Sequence, residues 1–298
     1  MKPKVAAFRQ ARLASSRGLA LVAVLWMVAA LALIAAALAS GTRAEVGVLH
    51  GFQSDTRAEA LGDAAIHVVA GRMRALAERP DRVVVEPVVV DGVEVTVRIA
   101  PASGFVDLNA AHETLLRNLV EFGGGLDGAA AERVAAGIAA WRSRDGQTLT
   151  DEDRLDGGRR TRFEVIEDVL QVPEVDFDLF DRMRDLVTTA SGAPGVSPLA
   201  ASPQVLMVLA AGDAGVAADI ASRRDAEDPV MDLTRLNPQH LASAQTGTYR
   251  VDAFVPSPDG TARVRTAWLS LSADRRGSPW NVFDRMPARG AAGVRAAL

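Results

Sequence analysis

The apolar and polar positions of this chain change rhythm four times, and each rhythm predicts a different element. Leu19 to Ala39 is an unbroken run of 21 apolar residues. As a helix rising 1.5 Å per residue it would span about 30 Å, the hydrocarbon thickness of a bilayer. From Thr42 to Pro80 the pattern is amphipathic and free of proline. Val46, Leu49 and Phe52, then Leu61, Ala65, Ile66, Val69, Met73 and Leu76, recur at three- and four-residue spacing. This predicts that the helix continues with one wet face, with Gly47, Gly51 and Gly62 working against perfect continuity.

Two β-branched runs come next, Val83–Val90 and Val93–Ile99, joined by Asp91-Gly92. They predict a hairpin on a tight primed turn, and Pro87 predicts that the first strand is an edge or bulged. Between Gly104 and His240 the pattern turns to short helices. Asn109 stands where an N-cap would, ahead of Leu115, Leu116 and Leu119. Further helices are predicted at 129–141, 163–170 and 177–187. An internal echo at an offset of 91 residues aligns Gly104-Phe-Val-Asp-Leu-Asn-Ala with Gly195-Val-Ser-Pro-Leu-Ala-Ala. Strand alternation returns at 249–255 and 262–271 around the turn Pro256-Ser-Pro-Asp-Gly260.

The expected fold class is α+β: an N-terminal membrane-spanning and then amphipathic helix packed on an antiparallel pilin-like sheet, with a large all-helical domain inserted between strands. The segments read as a basic leader (1–18), a transmembrane helix (19–40), a helix and first hairpin (41–103), a helical insertion with an internal repeat (104–246), closing strands (247–275) and a flexible tail (276–298).

Charge sharpens the N-terminus. Lys2, Lys4, Arg9, Arg12 and Arg17 precede Gly18 with no acidic residue among them. Such a flank stays in the cytoplasm, which puts the remainder in the periplasm. Three processing states fit. Ala37-Leu38-Ala39 before Ser40 suits a signal peptidase, although the apolar run exceeds the roughly 7–15 residues of a secretory h-region. An uncleaved anchor needs nothing at Gly18. A pilin-type leader ends at Gly18 and is cut before Leu19. Net charge is −4, and without the leader's +5 it is −9, which speaks against nucleic acid or anionic lipid as an electrostatic partner of the exported part. There is no cysteine, so stability rests on packing or assembly.

Sites for chemistry are sparse. The four histidines (His50, His67, His112, His240) form no H-x-x-H pair, and G-x-S-x-G, Walker and G-x-G-x-x-G sequences are absent, so no enzyme is predicted. Asp145, Asp151, Asp153 and Asp156 could offer Ca²⁺ hard oxygen ligands, without EF-hand spacing. A second acidic group runs through Glu174, Asp176, Asp178, Asp181 and Asp185. Val169-Leu-Gln-Val-Pro173 has the look of a helix-hairpin-helix approach, but Glu174 replaces the expected glycine and would repel phosphate.

Taken in order, several motifs resemble the type II secretion system protein K family, the minor pseudopilins K. They are Arg17-Gly18, the run from Leu19 to Trp26, Thr42-Arg-Ala-Glu45, Gly104-Phe-Val-Asp-Leu-Asn-Ala110, Ile138-Ala-Ala-Trp-Arg142, Phe163-Glu-Val-Ile-Glu-Asp-Val-Leu-Gln-Val-Pro173 and Gly195-Val-Ser-Pro-Leu-Ala-Ala201. The resemblance implies cleavage between Gly18 and Leu19 by the prepilin peptidase and N-methylation of Leu19. It further implies assembly with minor pseudopilins I and J and other pseudopilins at a pseudopilus tip. Ala23 takes the fifth mature position, where most pilin-like subunits carry Glu; protein K is similar in lacking it. Secreted substrates and inner-membrane lipid are further expected partners. Two alternatives stay open: a membrane-anchored periplasmic binding or DNA-uptake protein, and the tip subunit of a type IV pilus.

Overall fold

The computed structural model describes residues 17–143, 162–226, 231–244, 247–257, 260–273 and 277–291, with first-helix side chains described at 21–35 and 54–75. The chain divides into two compact units, Met1–Ser54 and Asp55–Leu298. Its class is α+β. Helix α1 (Arg17–Ala75) runs through Gly47, Gly51 and Gly62 without a break and contributes to both units.

In the second unit α1 buries Ala58, Ala65, Ile66, Val69, Ala70 and Met73, a stripe at three- and four-residue spacing. The stripe belongs to one core with an antiparallel sheet of five strands: β1 (Val84–Val90), β2 (Val93–Pro101), β5 (Thr248–Pro256), β6 (Ala262–Ser270) and β7 (Asn281–Gly290), hydrogen-bonded in that order. Val95, Val97 and Ile99 on β2, Val251 and Ala253 on β5, and Ala267 and Leu269 on β6 supply the sheet's side of this core. Each fully buried Val, Ile or Leu is worth roughly 1.5–3 kcal/mol of transfer free energy.

The first hairpin shows how sequence controls an edge. Asp91 (φ 50°) and Gly92 (φ 73°) form a two-residue turn that pairs Val90 with Val93. In such a hairpin the closing pair exchanges both hydrogen bonds. By alternation Val88, Glu86 and Val84 bond inward to β2, while the backbones of Val85, Pro87 and Val89 face outward. Pro87 therefore costs the ladder no bond, and it removes the middle donor of an edge that has no neighbour among the described residues.

The insertion between β2 and β5 has its own core, built on Leu115, Leu116, Leu119, Ile138, Phe163, Ile166, Leu206 and Ile220. Its helices are α2 (Glu113–Asn118), continued by a π turn Leu119–Gly123, then α3 (Gly128–Ser143), α4 (Phe177–Met183), α5 (Pro203–Leu209) and α6 (Ala214–Asp225), with 3₁₀ turns at Ile166–Gln171 and Pro238–His240. It is not all helical. Strand β3 (Val106–Asp107) pairs in parallel with β4 (Val187–Thr188), and Val196 bridges Leu241. These segments are buried, so their backbone groups need partners; Val106 N–H donates to Leu186 O and Leu108 N–H to Thr188 O. Two-residue pairings leave no alternation for a sequence to display.

The tail also differs from expectation. Asn281–Gly290, expected to be flexible, forms β7 on the outer side of β6. Without it β6 would be an open edge, and Met286 and Phe283 give it apolar anchors in the cores beneath. Register shifts between Val264 and Trp268, together with Asp284 at φ 47°, break the two-residue period that would have betrayed a strand. The helix expected at 163–170 is the 3₁₀ turn, and the one expected at 177–187 ends at Met183, with Val187 in a strand.

Candidate functional site

Three structural features stand out as candidates for a functional role. The first lies on the sheet face opposite α1. Side chains alternate along a strand, so Arg98 on β2 and Arg250 and Asp252 on β5 stand opposite the apolar core residues between them. Asp252, fully buried, accepts from Arg98 Nη1 at 3.1 Å, Arg250 Nε at 3.0 Å and the Thr266 hydroxyl at 2.7 Å. Arg250 Nη2 then reaches Asp185 at 2.7 Å, and Asp185 also receives Arg289 Nη2 from β7 at 2.7 Å. Burial pulls the Arg250 pKa down, but the Asp252 and Asp185 carboxylates outweigh it and the net shift is upward. Burial alone would raise Asp185; Arg250 and Arg289 hold it below the ordinary carboxylate value. Since Asp185 sits between α4 and β4, this chain of charges ties the insertion to three strands of the sheet. Phe105 adds a ring contact with Trp268 (5.4 Å, edge-on) and lies 5.7 Å from the Arg250 guanidinium carbon.

The second feature gathers the loosely spaced motifs of the middle region. Asp107 is fully buried, and its two oxygens accept from four donors: the Asn109 and Ala110 amides, the Ser191 hydroxyl and the Gly192 amide, at 2.7–3.0 Å. Asn109 is not the helix cap; His112 holds that position. Its side chain instead pairs with the Phe163 backbone in both directions, at 2.9 and 3.0 Å. Arg142 Nη1 donates to Leu108 O, and Trp141 stacks on Phe163 with ring centres 6.4 Å apart. Residues on both sides of 144–161 are thus pinned to one short stretch, 107–109. The candidate calcium ligands Asp145, Asp151, Asp153 and Asp156 fall outside the described residues. Among the described residues no group of three His, Cys, Asp or Glu could hold a metal ion. The second acidic group is spread over structural tasks: Asp176 caps α4 through Leu179 N–H, Asp181 pairs with Arg184, and Asp185 joins the charge chain.

The third feature is the apolar part of α1. Every side chain from 21 to 35 is exposed, including Leu21 at 75% and Trp26 at 74%. Ala23 is one of them, and the backbones of Gly18 and Leu19 lie in the first turns of the helix. An apolar helix exposed all round calls for lipid or neighbouring helices as its surroundings. Among the described residues no helix is long and apolar enough to cross a membrane, and only 21–35 of the apolar run have described side chains.

No known family profile matches the chain, and no curated protein does. Among solved structures the chain is similar to one from the GspK–GspI–GspJ complex of the enterotoxigenic Escherichia coli type 2 secretion system. The identity is 13% and the TM-score 0.48, over 82% of this chain and 98% of that one.

The internal echo has a structural counterpart that its sequence only hinted at. In each copy a short parallel pairing and a turn lead into a helix, α2 from Glu113 and α5 from Pro203, starts that lie 90 residues apart and so within one residue of the echo's offset. Each copy also opens on a glycine against foreign backbone. A Cβ on Gly104 would lie 2.2 Å from Ala200 O, and one on Gly195 would lie 2.7 Å from the His240 carbonyl. The two modules are therefore interlocked, since Ser197 N–H donates to Ser103 O as well. The helix-hairpin-helix reading of Val169–Pro173 has no hairpin to rest on: Val169 to Gln171 belong to the 3₁₀ turn.

Proposed function

We propose that this chain is a non-enzymatic, membrane-anchored assembly subunit of the pilin type, a minor pseudopilin of type II secretion placed at the filament end. The observation that carries the proposal is the division of labour along α1. Residues 21–35 present apolar side chains on every side, while 58–73 bury a stripe in the core shared with an antiparallel sheet. One helix thus joins a segment that needs lipid or helical neighbours to a globular body. The basic stretch ending at Gly18 supplies the cut site ahead of it, and the N-terminus faces the cytoplasm with the body in the periplasm.

Ala23 supports the end position. A subunit that must neutralise its neighbour's amine needs a carboxylate there, and this chain has none. The insertion, with a core of its own and a charge chain fixing it to the sheet, adds bulk that an interior subunit has no use for. The motif resemblance names minor pseudopilins I and J as the partners. Affinity purification of the full chain from native membranes tests this. Recovery of both partners in stoichiometric amounts is expected. Recovery instead with type IV pilus subunits would move the chain to that machinery, and its incorporation along the filament shaft would overturn the end position.

A further inference from the structure

A cleft of about 340 Å³ opens where the two echoed modules meet. α2 contributes Thr114, Arg117 and Asn118, the end of α5 forms a second wall, and Arg235, Asn237 and His240 close the third. The volume falls within the range of small-molecule sites. Among the described residues that line it, two carry guanidinium groups and none is acidic.

The hydrogen-bond ledger of the cleft leaves donors over. His240 is buried, its Nε2 is 2.8 Å from Thr114 Oγ1, and its Nδ1 has no partner among the described residues. A buried N–H without an acceptor is rarer in proteins than a bare acceptor, and on that ground the proton is assigned to Nε2, donating to Thr114. Burial, then the nearby His112, lowers the His240 pKa and keeps the ring neutral. The Thr114 hydroxyl proton is then available. So is the Asn237 amide, whose nitrogen lies 3.4 Å from Nε2 and cannot donate to an N–H. Arg117 and Arg235 each have a carboxylate neighbour, Glu121 at 3.4 Å and Asp213 at 2.9 Å, but both pairs are solvent-exposed on the arginine side and hold weakly. The acceptors that the end of α5 might offer are mostly taken. Its carbonyls at Leu206, Met207, Val208 and Ala210 accept from Ala210, Gly212, Ala211 and Asp213 amides, and Val208 from Asn118 too. Donor excess and two guanidinium groups around an open cleft whose described lining has no carboxylate together select one ligand chemistry.

We infer that this cleft binds a small oxyanion, a carboxylate or phosphate group held between Arg117 and Arg235 with Thr114 and Asn237 as neutral donors. The assignment is independent of the filament reading, because it concerns a binding event and not assembly. A free metabolite-sized anion and an acidic side chain of a neighbouring protein share this chemistry. The test is calorimetric titration of the full chain in neutral detergent micelles with sodium phosphate and with citrate, against chloride at matched ionic strength. Saturable binding of at least one probe is expected, weakened about tenfold or more in Arg235→Gln and in Arg117→Gln and unchanged in Arg133→Gln, an exposed arginine of α3. The Arg235 side chain is 60% exposed, so its replacement leaves the fold intact and the comparison readable. Binding to the free probes supports a small-anion source. Retention of a partner protein that citrate displaces only at concentrations near its own weaker binding constant, and that is lost in Arg235→Gln, supports the protein-borne carboxylate. No saturable heat together with no such competition, or equal affinity in wild type and Arg235→Gln, overturns the inference.

Discussion

Replacing Asp252 by Asn should strongly destabilise this chain. The carboxylate is fully buried and serves Arg98, Arg250 and Thr266 at once. Asn keeps an acceptor for Thr266 but leaves no negative charge for Arg98, whose side chain is 6% exposed and whose Nε already lacks a partner among the described residues. Removing one partner of a buried ion pair costs about 3–5 kcal/mol, because the surviving charge stays desolvated. Against a total stability of about 5–15 kcal/mol, that is a large fraction. Asp185→Asn provides the internal comparison. Its side chain is 38% exposed, and water can take over part of its role, so about 1–2 kcal/mol is expected. The assay is urea unfolding of the full chain in detergent, followed by tryptophan fluorescence, with Trp268 reporting from the adjacent strand. The midpoint should fall with an unchanged slope. Arg98→Met combined with Asp252→Asn should recover part of the loss, since the stranded charge is gone. A cost below about 1 kcal/mol for Asp252→Asn, or a double variant weaker than the single, would refute the reasoning.

Other outcomes follow from the same geometry. His240 titrates below its ordinary value of 6.5 when folded, so the unfolded chain binds the proton first and stability should fall as pH drops below about 6.5; His240→Gln should flatten that limb in urea titrations at stepped pH. Asp185 is held below its ordinary 3.8, so its contribution is present above that value and disappears as pH falls through the lower folded one; Asp185→Asn should remove this acid dependence. Pro87→Val should restore an outward amide to the β1 edge and promote self-association, read by light scattering against concentration, with little change in unfolding midpoint. Gly104→Ala should destabilise by about 2 kcal/mol or more in the urea assay, since its Cβ would meet backbone and not a movable side-chain tip.

Much of this fold is legible in the residues, and the exceptions have physical causes. The α1 stripe and the first hairpin announce themselves because long periodic segments and an Asp-Gly turn carry strong local signals. The pairing of β3 with β4 is silent, because two residues cannot show a period and its partners lie 81 positions apart. β7 is hidden by its bulges, and the tail's Arg, Gly and Pro content misleads. The candidate site divides in the same way. The apolar helix is written in Leu19–Ala39, and the acidic residues between Asp145 and Asp156 are visible as a cluster in the sequence. The charge chain is not visible, since Arg98, Arg250, Asp252 and Arg289 stand on three separate strands and Asp185 on the segment between α4 and β4. One signal was available: Arg98 on β2 and Arg250 and Asp252 on β5 each stand between apolar neighbours, and a charge set into an apolar strand marks a buried partner. Asn109 shows the reverse error, a residue whose type suits a cap but whose side chain is claimed by Phe163.

The central claim is that a pilin-type leader is removed so that α1 can enter an assembly. It is tested most directly by the N-terminal residue and mass of the protein taken from native membranes. A chain beginning with N-methylated Leu19 is the predicted result. A chain beginning at Met1, or at Ser40, would contradict it.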